Sequence, residues 1–178
     1  MALTKINNNT LSAITGLPAG VGGKVLQVVQ TVKTNSFTTT STTMTDITGF
    51  SVSITPISTS NKILIIVNVG MLSNGGAYGS FLNLLRDSTV IVSNSSGGTV
   101  DTMNAWVSAG GGGMTNDERK FNSPSITFLD SPLTTSAITY KCQIATPNST
   151  QATFNRWGLG SNEDQAGVST ITAYEIAG

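Results

Sequence analysis

The chain has 178 residues, of which 10% are charged, with nine basic and nine acidic side chains and no histidine. That length suits one domain, which can bury a sizeable core without a metal or disulfide staple. The missing histidine excludes a Ser-His-Asp triad, a Cys-His dyad and an imidazole metal ligand, and the single Cys142 excludes a disulfide within the chain.

Charge lies far below the usual level of about a quarter of residues. The balanced signs and 38% hydrophobic content still do not describe a disordered chain. Thr, Ser and Asn, about a third of the residues, supply the polar surface instead. Thr favours strands, and Ser, Asn and the nineteen glycines favour turns, so the composition reads as all-β. Zero net charge argues against bulk nucleic-acid binding. The longest apolar run, Ile63–Leu72, is too short to cross a bilayer. The N-terminus lacks the apolar segment of a secretory signal, so synthesis in a cytoplasm without processing is expected.

In chain order, residues 1–22 differ from the rest, and a break at Gly23 separates them as an arm from a domain over 23–178. The arm has sparse apolar residues, a triple Asn and a Gly/Pro-rich exit. Such a segment holds a fixed place only against something else. It is expected to dock on a neighbouring subunit through Leu3, Ile6, Leu11, Ile14 and Leu17; the alternative is an arm folded back on its own domain.

Lys24–Lys33 carries valines at helical spacing, but its β-branched content and Thr-rich continuation favour a strand. Ser36–Thr45 offers little to bury and suits an edge or rim. Phe50, Val52 and Ile54 alternate with polar residues in a half-buried strand ended by Pro56. Lys62–Leu72 is almost continuously apolar, as in a central strand covered on both faces. Ser80–Val92 reads as a hairpin with its tip at Arg86–Thr89. Further strands are expected at Met103–Ala109, Ser125–Leu129, Ala137–Ile144, Gln151–Trp157 and Val168–Ile176. About ten short strands with no helical pattern predict an antiparallel sandwich or barrel.

Chemical motifs are weak. Gly110–Gly113 leads into no helix and no Lys-Ser/Thr pair, so it reads as a surface loop and not a phosphate loop. The acidic pairs Asp117-Glu118 and Glu163-Asp164 read as solvated loop tips before they read as a glycosidase pair. Cys142 alternates with Ile138, Tyr140 and Ile144 and is expected to be buried and inert. Asn8, Asn94 and Asn148 match the N-glycosylation pattern by composition alone. No cofactor and no metal is expected. Tyr78, Trp106, Asp117, Arg119, Arg156 and Trp157 are the candidate ligand-contact residues, with the Arg156–Trp157 pair preferred as an exposed aromatic cluster.

Three stretches carry a resemblance: the opening GKVLQVVQTVKTNSFTTTSTT; the middle SITPISTSNKILIIVNV and FLNLLRDSTVI; and the end ITFLDSPLTTSAITYKCQIAT, FNRWG and STITAYEIAG. In that order they resemble trimeric bacteriophage virion proteins of the marine and cyanophage type, and they cover most of residues 23–178. Cys142 stands where that pattern suggests a plain apolar residue. The resemblance implies a jelly-roll head similar to tumour-necrosis-factor and complement globular domains, assembled as a homotrimer, with no enzymatic activity and a place in the virion. A tail fibre or knob docked by its arm on other phage proteins, its loops touching host-surface polysaccharide, is the expected function. The alternatives are a capsid-decoration protein and, more remotely, a glycan depolymerase. Neither nucleic-acid binding nor membrane insertion is expected.

Overall fold

The computed structural model describes residues 24–74, 80–91, 121–146, 149–157 and 165–178. The expected strand at Met103–Ala109, the run Gly110–Gly113, both adjacent acidic pairs and the three glycosylation-pattern asparagines lie outside the described residues.

Fourteen strands and no helix are found among the described residues. They are β1 (Val25–Lys33), β2 (Phe37–Thr39), β3 (Thr45–Ile54), β4 (Lys62–Asn68), β5 (Leu72–Asn74), β6 (Phe81–Arg86) and β7 (Thr89–Val90). They continue with β8 (Phe121–Asn122), β9 (Ser125–Asp130), β10 (Ile138–Ala145), β11 (Ala152–Phe154), β12 (Arg156–Trp157), β13 (Gln165–Ala166) and β14 (Ser169–Ile176). One sheet runs β1-β14-β4-β9 and the facing sheet β3-β10-β6-β7, all antiparallel. The long strands alternate between these sheets along the chain, as in a jelly roll wound around one core. The fold is therefore the antiparallel β-sandwich read from the sequence.

Period-two patterning builds the core. From the facing sheet, Phe50, Val52 and Ile54 of β3, Leu82 and Leu84 of β6, and Ile138, Tyr140, Cys142 and Ile144 of β10 point inward and are buried. Ile63, Ile65 and Val67 of β4, with Ile171 and Ala173 of β14, meet them from the first sheet. Phe50 and Phe154 stack at 4.9 Å between centroids and 53° between planes, which is favoured over a flat sandwich of rings.

A third sheet, β2-β11-β5-β8, joins the two layers at one end. It forms because β4 and β10, central in opposite sheets, both continue past a break, as β5 and β11, and then pair with each other. The sequence run Lys62–Leu72 is thus two strands and not one. The break falls at Gly70, where a Cβ would lie 2.4 Å from the backbone N and O of Val168. The polar Ser36–Thr45 tract supplies β2 at the edge of this third sheet, as its composition suggested.

β3 contains a wide irregularity. Its register with β10 jumps from Lys141↔Ser51 to Gln143↔Asp46, so residues 47–50 oppose little more than Cys142. Gly49 takes the left-handed backbone the detour needs, at φ 74°, and its Cβ position is nearly open. The two glycines therefore respond differently to a methyl group. Gly70→Ala is expected to lower unfolding free energy by about 3 kcal/mol through backbone overlap. Gly49→Ala is expected to lower it by about 1–2 kcal/mol through its dihedral alone. Urea midpoints of the two variants check the order.

Candidate functional site

The sandwich has two distinguishable ends. Val25 pairs with Ile176 and Ile176 with Lys62, which puts the start of β1, the start of β4 and the C-terminus at one end, here called the base. The β3–β4 loop (55–61) and the β9–β10 loop (131–137) join strands at this same end. Lys33↔Ser169 and Asn68↔Ser125 mark the opposite, distal end.

At the base, the register aligns Gln27, Glu175, Ile63 and Asp130 in one row on the inner face of the first sheet. Both carboxylates in this row are buried. Glu175 is 0% exposed and has no cation on it. Instead Asn61 Nδ2 and the Ile57 backbone N–H donate to Oε1 at 2.6 and 2.7 Å, and Gln27 Nε2 donates to Oε2. Gln27 Nε2 also donates to the Thr55 carbonyl. Burial pushes this carboxyl up, but the hydrogen bonds from Asn61, Gln27 and the backbone of Ile57 and Ser58 outweigh it, and its pKa lies below the ordinary value. One side chain on β14 thereby holds both the β3–β4 loop and β1.

Asp130 is satisfied differently. Arg86 Nη1 donates to its two oxygens at 2.9 and 2.8 Å, Tyr140 Oη to Oδ2 at 2.7 Å, and the Ser131 N–H to Oδ1. The cluster ties β9 in one sheet to β6 and β10 in the other. Burial first, and the bond to Asp130 second, push the Tyr140 hydroxyl up, so it stays a donor. The sequence reading weighed only the adjacent acidic pairs and did not single out these two buried acids. Their parity within ITFLD and ITAYEIA was the signal, since Ile171, Ala173 and Glu175 share one face.

At the distal end, Asn155 at φ 61° interrupts the expected Gln151–Trp157 strand. Its amide donates to the Lys33 carbonyl at 2.7 Å, its Oδ1 accepts from Ser169 Oγ, and Ser169 Oγ in turn accepts from the Gly70 N–H. This network joins β1, the β4–β5 break, the turn between β11 and β12, and β14. Beyond it Arg156 is exposed, and β12 pairs with β13 through Arg156↔Ala166 and Trp157↔Gln165. The structure brings Arg156 and Trp157 together here as consecutive strand residues. Tyr78, Trp106, Asp117, Arg119 and the anchors Leu3, Ile6, Leu11, Ile14 and Leu17 lie outside the described residues. The strands nevertheless show where the candidate-residue segments attach: 75–79 between β5 and β6 and 158–164 between β12 and β13 at the distal end, and 92–120 leaving after β7, which pairs with the basal end of β6, and returning at β8 at the distal end.

The outer face of the first sheet is a third feature. Val28, Tyr174, Leu64 and Leu129 form one row across it. Gln30, Thr172, Ile66 and Thr127 form the next, and Val32, Thr170, Asn68 and Ser125 the third. No residue in these rows is charged. Val28 and Leu129 are exposed, while Leu64, Ile66 and Tyr174 are half-buried. The expectation that β4 is covered on both faces is not met among the described residues, where its Ile63, Ile65 and Val67 face is buried and Leu64 and Ile66 on the other face are half-buried.

Cys142 is buried opposite Leu84, and burial pushes its thiol up to about 12, as suits an inert core residue. Among the described residues no group of His, Cys, Asp and Glu is arranged to hold a metal ion. No protein-family model and no curated protein matches the sequence.

Glu175→Gln would turn an NH2 group toward existing donors, and a loss of about 2–4 kcal/mol of stability is expected. The pH dependence has a definite sign. Because the folded pKa is depressed, the carboxylate's contribution is complete above the unfolded value near 4.5 and fades as pH falls through the lower folded value. The variant should therefore lose less stability than the unmodified protein between neutral pH and about pH 3, read by urea unfolding across that range.

Proposed function

We propose that this chain is a non-enzymatic structural protein of a phage virion, a homotrimeric fibre-like knob attached by its first 22 residues and carrying host-contacting loops on its distal end. The observation that supports this most is the polarity of the sandwich. The N-terminal segment joins at the base, beside Ala177 N–H donating to the Lys24 carbonyl. The segment bearing Tyr78 and the strand Arg156–Trp157 attach at the other end, and the segment bearing Trp106, Asp117 and Arg119, which leaves from β7 nearer the base, returns there at β8. A molecule held by one end and reading a surface with the other needs this separation.

The uncharged outer face of the first sheet supports the assembly half of the proposal. It is flat, apolar in its first row and bordered by Thr, Asn, Ser and Gln, so a second copy can cover it without burying an unpaired charge. Closed symmetry would also protect β1, a long edge strand with no charge before Lys33 and no proline. Three distal ends on one mount would raise a weak glycan contact by avidity of roughly 10²–10⁴.

Assembly is tested in solution. The melting temperature should rise by roughly 2–4 °C per tenfold increase in protein concentration. Leu64→Glu, on the outer face, should abolish that dependence and give a folded single copy by light scattering; a concentration-independent monomer in the unmodified protein would overturn the trimer. Location is tested by copy number. A few tens of copies or fewer per purified virion fit a tail appendage, whereas hundreds indicate capsid decoration. The purified protein should also compete with virions for adsorption to host cells, and failure to compete would remove the attachment role.

A further inference from the structure

The exposed large apolar side chains of the described residues fall into distinct groups. Val28, Val32 and Leu129 belong to the outer sheet face, whereas Val25, Ile57 and Leu133 sit at the base. The base pair Ile57 and Leu133 is unusual because both are loop residues, 67% and 74% exposed, on loops that are firmly held. Ile57 follows the buried Pro56, and its own N–H is fixed on Glu175. Leu133 follows Asp130 and Ser131, which Arg86 and Tyr140 anchor, and it occupies left-handed backbone at φ 53°. A γ-branched side chain in that region is disfavoured, and leaving it in water adds a second cost. Two buried carboxylates in one row thus each hold a loop that presents one aliphatic side chain outward, at the end where the N-terminal segment joins.

We propose that residues Leu11–Leu17 of that segment pack against the base of their own molecule, over Ile57 and Leu133, and form a neck between the domain and the tip at Leu3 and Ile6. The reach is sufficient. Six residues lie between Leu17 and Lys24, and an extended chain covers about 25 Å over those seven steps. Gln27 Nε2 already touches the Ile57 loop through Thr55, and Asp130 lies three strand spacings from β1, about 14 Å. Gly20, Gly22 and Gly23 let the chain turn back without a Cβ penalty. The chemistry matches, because Leu11, Ile14 and Leu17 recur three residues apart as the large aliphatic residues of this stretch before Val21, and no charged residue lies between Lys5 and Lys24. A short tether holds them at an effective concentration of order millimolar, which favours their own base over a neighbour's. The neck leaves Leu3 and Ile6 as the attaching tip and takes Leu11, Ile14 and Leu17 from the expected docking anchors, while its test concerns the isolated protein whatever the tip binds.

Paired cysteines test the contact, with buried Cys142 as a silent background. At low micromolar concentration under mild oxidation, Ile14→Cys with Ile57→Cys should form a disulfide within one chain, and Ile14→Cys with Val28→Cys should not. Peptide mapping and a non-reducing gel read the result. Amide hydrogen exchange provides a second measurement on the full chain. Residues 11–17 should exchange at least about tenfold more slowly than an unstructured peptide. The double variant Ile57→Asp with Leu133→Asp should restore the unstructured rate while strand amides stay protected. Unstructured exchange in the unmodified protein, a link to position 28, or a cross-link between copies would each overturn the neck.

Discussion

A carboxylate can be buried only if its lone pairs are filled, and Glu175 meets that demand from two other segments at once. Gln27 comes from β1, Ile57 and Asn61 from the loop before β4, and the acid itself from β14. The absence of a cation makes the geometry stricter. A neutral amide or a backbone N–H must be in place, whereas a flexible ammonium could find the charge from many positions. Asp130 stands in the same row and uses the opposite solution, a two-oxygen contact with Arg86 reinforced by Tyr140. The base of the sandwich is closed by these two groups, and the positions of both loops at that end follow from them.

The distal end is held by close backbone approach and small polar side chains. Gly70 and Gly167 let the β4–β5 break pass against the start of β14, and Asn155 and Ser169 knit the neighbouring carbonyls. Between the ends, the outer face of the first sheet carries apolar residues that the chain's own core does not use. Leu64 and Ile66 face away from Ile63, Ile65 and Val67, yet they are just as aliphatic. The proposed function assigns that face to a second copy of the chain.

Much of the fold was legible along the chain. The alternation Phe50-Val52-Ile54, the single face of Ile138, Tyr140, Cys142 and Ile144, and the Asp-Ser tip after Arg86 each specify a strand or a turn through nearest-neighbour chemistry. The failures have a common origin. The split of the Lys62–Leu72 run depends on how closely Val168 approaches Gly70, almost a hundred residues later. The turn at Asn155 depends on acceptors and donors from Lys33 and Ser169. For the candidate site, only the Arg156–Trp157 pair could be placed, and what it touches is set by other segments.

The sequence by itself determined the class: all-β, antiparallel, with a core drawn from one parity of each strand. Side-chain alternation and turn chemistry are local, so residues a few positions apart are enough to establish them. Only the tertiary structure decided which acids are buried, which apolar residues are left without cover, and which end of the sandwich each segment meets. Those outcomes depend on strand order and register, which bring Gln27 to Glu175 and Arg86 to Asp130, and contacts between residues so far apart in the chain leave little periodic trace in either segment.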